Sequence, residues 1–326
     1  MTSKPRALVT APMRGPGFAK LRELADVVYD PWIEQTPLRI YGPEQLAERI
    51  AGEAAEIVVV EGDSVRGPVF EQGLRVIAST RGDPNNVDIA GATAAGIPVL
   101  NTPARNADAV AEMTVALLLA ATRHVLTADA DVRSGNIFRD GSIPYQRFRA
   151  AEIAGLTAGL VGLGAVGRAT QWRLSGLGLR VIAHDPYNPD ARHSLDELLS
   201  EADVVSLHAP VTDDTAGMIG AREFAAMRDG VVFLNTARAQ LHDTDALVDA
   251  LVAGKVGAAG LDHFAGEWLP ADHPLVGMRN VVLTPHIGGA TFDTEARQAQ
   301  MVADDLEALL AGNAPAHIVN PEVLGP

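Results

Sequence analysis

Gly155–Val161 reads as a short apolar strand that runs straight into Gly162-Leu163-Gly164-Ala165-Val166-Gly167 and then into Arg168–Leu177, a segment that favours a helix. Strand, glycine turn and helix in that order commit this part of the chain to a βαβ unit, because a helix leaving such a turn returns the chain to a parallel strand of the same sheet. The glycines let the turn close tightly and let the backbone approach a pyrophosphate, whose charge meets the helix N-terminus. The following run, Leu179–His184, ends in Asp185, 18 residues beyond Gly167. A carboxylate there accepts hydrogen bonds from ribose hydroxyls and repels a 2′-phosphate, which points to NAD rather than NADP.

Short β-branched runs of the same kind recur at Ala7–Val9, Ile57–Val60, Arg75–Ala78 and Val99–Leu100, then at Gly159–Gly162, Leu179–Ala183, Val204–Leu207, Val231–Leu234, Val256–Leu261 and Val281–Thr284. Helix-compatible segments separate them, so the expected class is α/β with two doubly wound parallel-sheet domains. A chain of 326 residues is long enough for both. Between Arg105 and Val125 the apolar residues Val110, Met113, Leu117, Leu118 and Ala121 fall at helical spacing, predicting one long buried helix. A last helix, about Thr294–Leu310, is expected to cross back onto the first lobe.

Charge narrows the partners. With 41 acidic against 26 basic residues and a net charge of -15, the chain is expected to avoid nucleic acid and anionic membrane surfaces. It has no cysteine, hence no disulfide, thiol nucleophile or thiolate metal site. The first 13 residues lack a signal peptide's apolar core and Met113–Ala121 is far short of a membrane span, so a cytoplasmic location is expected. No group of His, Asp and Glu shows a ligand spacing, and no metal is expected.

Three more strands end in polar residues, where a doubly wound sheet places its ligand crevice. They are Asn235-Thr236-Ala237-Arg238, Leu261-Asp262 leading to Glu267, and Thr284-Pro285-His286. Oxidising an alcohol by hydride transfer needs a base for the hydroxyl proton, and histidine titrates in the useful range. A carboxylate partner orients such an imidazole, and an arginine fork suits a substrate carboxylate and the adjacent carbonyl. Glu267, His286 and Arg238 fit these roles. His208 also ends a strand but has no acid neighbour in sequence, and reads as a cofactor contact or a structural residue.

Together these residues resemble the D-2-hydroxyacid dehydrogenase family, in particular its phosphoglycerate dehydrogenase-like branch. The resemblance covers nearly the whole chain. It runs through Asn86-Val87-Asp88, Asn101-Thr102-Pro103 with Asn106, Val110-Ala111-Glu112, Gly162–Gly167, Asp185-Pro186-Tyr187, His208-Ala209-Pro210 with Thr215, Asn235–Arg238, Leu261-Asp262 and Thr284–Thr291. It implies a Rossmann NAD-binding domain over residues 104–290 and a smaller flavodoxin-like substrate domain over 1–103 plus 291–326. It further implies a homodimer whose interface includes the helix after Arg105. By the same resemblance Arg238, Glu267 and His286 are catalytic. NAD meets Gly162, Gly164, Ala165, Val166, Gly167, Asp185, His208, Ala209, Pro210, Thr215, Thr236, Ala237, Arg238, Asp262, His286 and Gly288, with Asp262 on the nicotinamide amide. Substrate meets Gly82, Asp83, Arg238 and His286. The implied activity is NAD-dependent interconversion of a small D-2-hydroxy acid and its 2-keto acid, with glycerate, phosphoglycerate or a sugar acid as candidates.

The departures concern the substrate. Arg81 and Asp83 stand where the family's carboxylate-binding loop has small residues, and Pro84 offers no N–H. His263, Trp268 and Ala239 replace the usual valine, proline and glycine. Glu61 and Asp63 add acid near the expected substrate mouth, against Arg14, Arg66 and Arg81, which leans the expectation toward an uncharged hydroxylated side chain. Where the chain ends, no room is expected for an appended regulatory domain. Two alternatives stay open: an NAD-sensing corepressor-like binding protein, and a formate or phosphite dehydrogenase-like enzyme.

Overall fold

In a computed structural model, which describes residues 4–325, the chain divides into two compact units, Met1–Arg105 with Thr291–Pro326 and Asn106–Ala290. Residues 1–3 and 326, the outer ends of the expected substrate domain, lie outside the described residues.

The first unit holds five parallel strands, β1 (Arg6–Val9), β2 (Asp26–Tyr29), β3 (Ile57–Val60), β4 (Val76–Ser79) and β5 (Val99–Leu100), in the order β2-β1-β3-β4-β5. That is the flavodoxin-like order. Alternating side chains go to opposite faces of the sheet. Ala7, Val9, Ile57, Val59 and Ala78 meet Phe18, Leu21 and the C-terminal helix on one face, while Leu8, Val58, Val60 and Ile77 meet Leu46, Ile50 and Val69 on the other. The C-terminal helix, Phe292–Leu310, starts at Thr291, whose hydroxyl accepts from the Thr294 N–H. Its buried Ala299, Val302, Ala303 and Leu306 follow helical spacing, so it does return to the first unit as expected. The helix Gly15–Leu24 crosses it so closely that a Cβ on Gly17 would lie 2.2 Å from the Gln300 nitrogen. β2 escapes the sequence reading because its four residues carry an acid and sit only partly buried at the sheet edge.

The second unit has six parallel strands, β6 (Thr157–Val161), β7 (Arg180–His184), β8 (Val204–Leu207), β9 (Val231–Asn235), β10 (Val256–Leu261) and β11 (Val281–Leu283), in the order β11-β10-β9-β8-β6-β7. Beyond β7, where a Rossmann sheet carries a further strand, residues 191–193 run alongside it. His193 donates to the Ala183 carbonyl at 3.2 Å and the His184 ring bonds the His193 carbonyl at 2.9 Å. The register pairs Val161 with Leu207, Leu207 and Leu261 with Asn235, and Leu261 with Leu283, so the carboxyl ends of these five strands come level.

The helix expected between Arg105 and Val125 is present as Ala107–Thr122, and a second, unexpected helix follows it. Ala107–Thr122 stops at Arg123 and at His124, whose left-handed φ of 55° breaks the hydrogen-bond ladder, and Val125–Arg133 follows at a bend of 64°. Among the described residues no single helix is long and apolar enough to cross a membrane.

Candidate active site

The sheet reverses direction between β6 and β8, and the Gly162–Gly167 turn leaves β6 there. Gly162 holds φ at +96°, and a Cβ on it would sit 2.7 Å from the Ala209 nitrogen, so the turn and the His208-Ala209-Pro210 segment touch through bare backbone. The helix Ala165–Gly176 begins at Gly164 with no side-chain cap. The N–H groups of Ala165, Val166 and Gly167 have no partner among the described residues, and a Cβ on Gly164 would meet only open space. An uncapped helix start beside open space is the cradle a pyrophosphate fits.

Asp185 stands at the end of β7 with one carboxylate oxygen accepting from the Leu163 N–H at 2.8 Å and the other from the Tyr187 N–H at 2.9 Å. It thereby ties the glycine turn to its own loop, and free lone pairs remain for ribose hydroxyls. The loop is fastened again by Asn188, which donates to the Leu163 carbonyl, and by Arg168, which pairs with Asp190. In the segment after β8, the His208 Nε2 bonds the Ser206 hydroxyl at 3.0 Å while its Nδ1 is buried and unpartnered among the described residues. Burial holds its pKa down at about 4. Thr215 closes this loop by donating to the Pro210 carbonyl. The Thr236 hydroxyl is turned into the core against Thr114 at 2.8 Å, and the residue is buried.

The catalytic candidates gather at the ends of β9, β10 and β11. His286 Nδ1 lies 2.8 Å from Glu267 Oε1, and both side chains are about half exposed. Asp262 is buried, accepting from the Thr284 hydroxyl at 2.6 Å and from the N–H groups of Ile287 and Gly288 at 2.9 and 2.7 Å. The residue expected on the nicotinamide amide is therefore also the clamp on the turn that carries His286. Arg238 follows β9 in a loop pinned by Asn235, whose Nδ2 donates to the Arg238 carbonyl at 2.8 Å and whose Oδ1 accepts from the Ala237 N–H at 3.0 Å. His242 bonds Asn235 at 3.0 Å from beneath. Desolvation keeps its pKa near 4.

Sequence reasoning noted His263 only as a departure, yet its ring packs on that of His286 with centroids 3.8 Å apart and planes tilted by 51°. The signal was present: His263 follows directly on Asp262 at the end of a strand that also delivers Glu267.

In the first unit, the loop after β4 holds the expected carboxylate cradle. Arg81 donates to the Glu61 carbonyl at 2.7 Å and to Asn85 at 2.6 Å, and Asn101 donates to the Gly82 carbonyl at 2.7 Å. The N–H groups of Gly82 and Asp83 make no hydrogen bond among the described residues. The acids expected to repel a charged substrate are neutralised or withdrawn. Glu61 pairs with Arg105, and Asp63 is buried on Thr10 and the Tyr41 N–H, where burial raises its pKa. That electrostatic argument against a phosphate therefore fails.

Residues 115–288 match the family described as D-isomer specific 2-hydroxyacid dehydrogenase, NAD binding domain. Among curated relatives, a glyoxylate reductase from Thermofilum pendens is 37% identical across 99% of this chain and 96% of its own length. A D-3-phosphoglycerate dehydrogenase from Mycobacterium tuberculosis is 40% identical across 77% of this chain, which spans 49% of that longer protein. Among solved structures, a D-isomer specific 2-hydroxyacid dehydrogenase from Polaromonas superposes with a TM-score of 0.85, covering 97% of this chain and 99% of its own at 30% identity.

Proposed function

The chain belongs to the D-isomer specific 2-hydroxyacid dehydrogenase family, and from that premise we propose that it interconverts a short 2-hydroxy acid and its 2-keto acid with NAD, His286 moving the proton. The observation that carries this reading is the 2.8 Å bond between His286 Nδ1 and Glu267. It leaves Nε2 as the nitrogen that gives a proton to a keto oxygen or takes one from a hydroxyl. NAD, when bound, accepts or supplies the hydride. Glu267 holds the ring while Arg238 offers its fork to the substrate carboxylate and carbonyl. The Ala165, Val166 and Gly167 N–H groups receive the pyrophosphate and Asp185 the adenine-side ribose.

Asn106–Ala290 is then the NAD domain and Met1–Arg105 with Thr291–Pro326 the substrate domain. We read the substrate as unphosphorylated, in the class of glyoxylate and hydroxypyruvate. Arg14 is paired with Glu295 and Arg81 is bonded to the Glu61 carbonyl and Asn85, so two of the three arginines set against Glu61 and Asp63 already have partners. The relative named as a glyoxylate reductase is matched across 96% of its own length.

We also read the chain as a homodimer. Leu126, Val132, Phe138 and Tyr145 are exposed within one stretch of the second unit, large apolar side chains of the kind that a second copy buries. Sedimentation of Phe138→Glu beside the parent chain should show a monomer in place of a dimer.

The test of the activity is NADH consumption with glyoxylate, hydroxypyruvate and phosphohydroxypyruvate, run beside His286→Gln. Turnover that the substitution removes supports the reading, and a strong preference for phosphohydroxypyruvate would reverse the substrate assignment.

A further inference from the structure

We propose that His263 is a positioning residue for His286, its buried ring forming a fixed plate that sets the orientation of the acid/base ring. The inference rests on the reading of His286 as acid/base. It starts from a mechanical problem. His286 is about half exposed, and among the described residues its side chain has one hydrogen bond, from Nδ1 to Glu267, whose own side chain is more than half exposed. A single bond to a solvated carboxylate leaves the ring free to swing about that tether, and proton transfer is sensitive to misplacement on the scale of 1 Å.

The second point of support is the face of His263. Its ring is 4% exposed and lies with its centroid 3.8 Å from that of His286. It projects from the end of β10, one residue after Asp262, whose carboxylate fixes the 284–288 turn. One strand end thus holds the backbone of the acid/base through Asp262 and its ring through His263. The aliphatic residue that the family resemblance expects at 263 supplies packing but no aromatic plate.

The groups that face His286 are Glu267 at Nδ1 and His263 on the ring face, with Arg238 and Asp262 close enough to act on His263 electrostatically. Burial first, then the charges of His286 and Arg238, hold the His263 pKa at about 4. His263 therefore stays neutral at working pH and presents an aromatic face to its neighbour, which attracts a cationic ring.

A metal site is the rival use of these groups, since His263, Glu267 and His286 each bring a ligand atom within 4.8 Å of the others. Two imidazoles on one tetrahedral ion hold their ring centroids roughly 5 Å apart, because each nitrogen points at the metal. The observed separation of 3.8 Å is shorter than that, which fits one ring packed at a tilt on the other rather than two rings aimed at one ion.

The experiment compares His263→Leu, His263→Phe and His286→Gln in keto-acid reduction over a pH series, with NADH binding read by fluorescence and folding by thermal melting. His263→Leu should lower kcat about ten-fold with the Kd for NADH unchanged. It should also move the alkaline limb of the kcat profile to lower pH by about half a unit, since the imidazolium loses its aromatic neighbour. His263→Phe, which keeps a plate, should recover kcat to within about three-fold and restore the limb. A His263→Leu enzyme with the parent's kcat and profile overturns the inference, as does His263→Phe as impaired as His263→Leu. If His286→Gln keeps turnover, the acid/base reading fails first. If His286→Gln is inactive and His263→Leu is unaltered, only the present inference fails.

Discussion

His286 and Glu267 meet at 2.8 Å with both residues in left-handed backbone, each at φ 54°. Neither is glycine, so each conformation costs on the order of 1 kcal/mol or more and persists only because neighbours impose it. At His286 the imposing groups are the Asp262 carboxylate and the turn it fastens; at Glu267 they are the tight turn through Gly266 and the Phe264 carbonyl that accepts the Glu267 N–H. Strain spent on bringing one acid to one histidine predicts that the charge of the acid matters. Glu267→Gln keeps the side chain's length and an acceptor for the Nδ1 proton but loses the charge that favours the imidazolium. It should lower kcat for keto reduction about 10²-fold while leaving NADH binding alone. Unchanged kcat would mean that Glu267 only holds the ring.

Asp262 carries the second prediction. Three donors converge on this buried carboxylate, two of them the N–H groups just after His286. Asp262→Ala leaves those donors unsatisfied and should cost about 2–4 kcal/mol of stability, because charge-assisted bonds are lost together. Its signature is a joint loss: a lower Tm accompanied by a fall in kcat, since the turn that holds His286 in its left-handed conformation relaxes. A lower Tm with full kcat would show that the turn keeps its shape without the clamp.

Asp185 and Gly162 test the cofactor site from two sides. Asp185→Ser removes the negative charge from the ribose end and should shift the preference from NADH toward NADPH by about ten-fold or more in kcat/KM. Absolute activity with NADH should fall too, because the Leu163 and Tyr187 N–H groups lose their acceptor. Gly162→Ala drives a Cβ into the Ala209 nitrogen and the His208 carbonyl carbon, both 2.7 Å away, at a φ that L-residues rarely adopt. Loss of NADH binding is expected there, and retention of parent affinity would show that the turn can move.

Much of this was legible before any coordinates, and the reason differs by part. The parallel strands announce themselves through fully buried runs such as Ile57–Val60 and Val231–Asn235, which must be apolar on both faces. The carboxyl ends of β9, β10 and β11 could be named as the chemical site because doubly wound topology fixes where strands end. What sequence hides is orientation within a shared end. Nothing in spacing says that the Thr236 hydroxyl turns into the core, that Asp262 closes a turn 22 to 26 residues later, or that the His263 ring packs against that of His286. Ion pairing is hidden for the same reason. Glu61 reads as a free acid until Arg105, 44 residues on, is seen beside it.

Buried histidines give the last prediction, and its sign can be worked through. His208, His242 and His263 all lie in the second unit, and burial lowers each pKa from 6.5 to about 4. Unfolded, the same residues bind protons as the pH falls below 6.5; folded, they resist until about 4. The unfolded state therefore takes up more protons across that window, so the stabilising contribution is complete above pH 6.5 and is lost progressively as the pH falls toward 4. At pH 5 the loss is about 1–2 kcal/mol for each of the three. Asp63 works the other way in the first unit, since a carboxyl whose pKa is raised by folding favours the folded state as the pH drops. Amide hydrogen exchange separates the two. Corrected for intrinsic rates, protection of β8, β9 and β10 should fall between pH 7 and pH 5 by more than protection of β1 and β3. His242→Leu should flatten that fall, because the group that cannot be protonated in the fold is gone. Equal loss of protection in both sheets, or none in the second, would show that these histidines are solvated well enough to titrate in place.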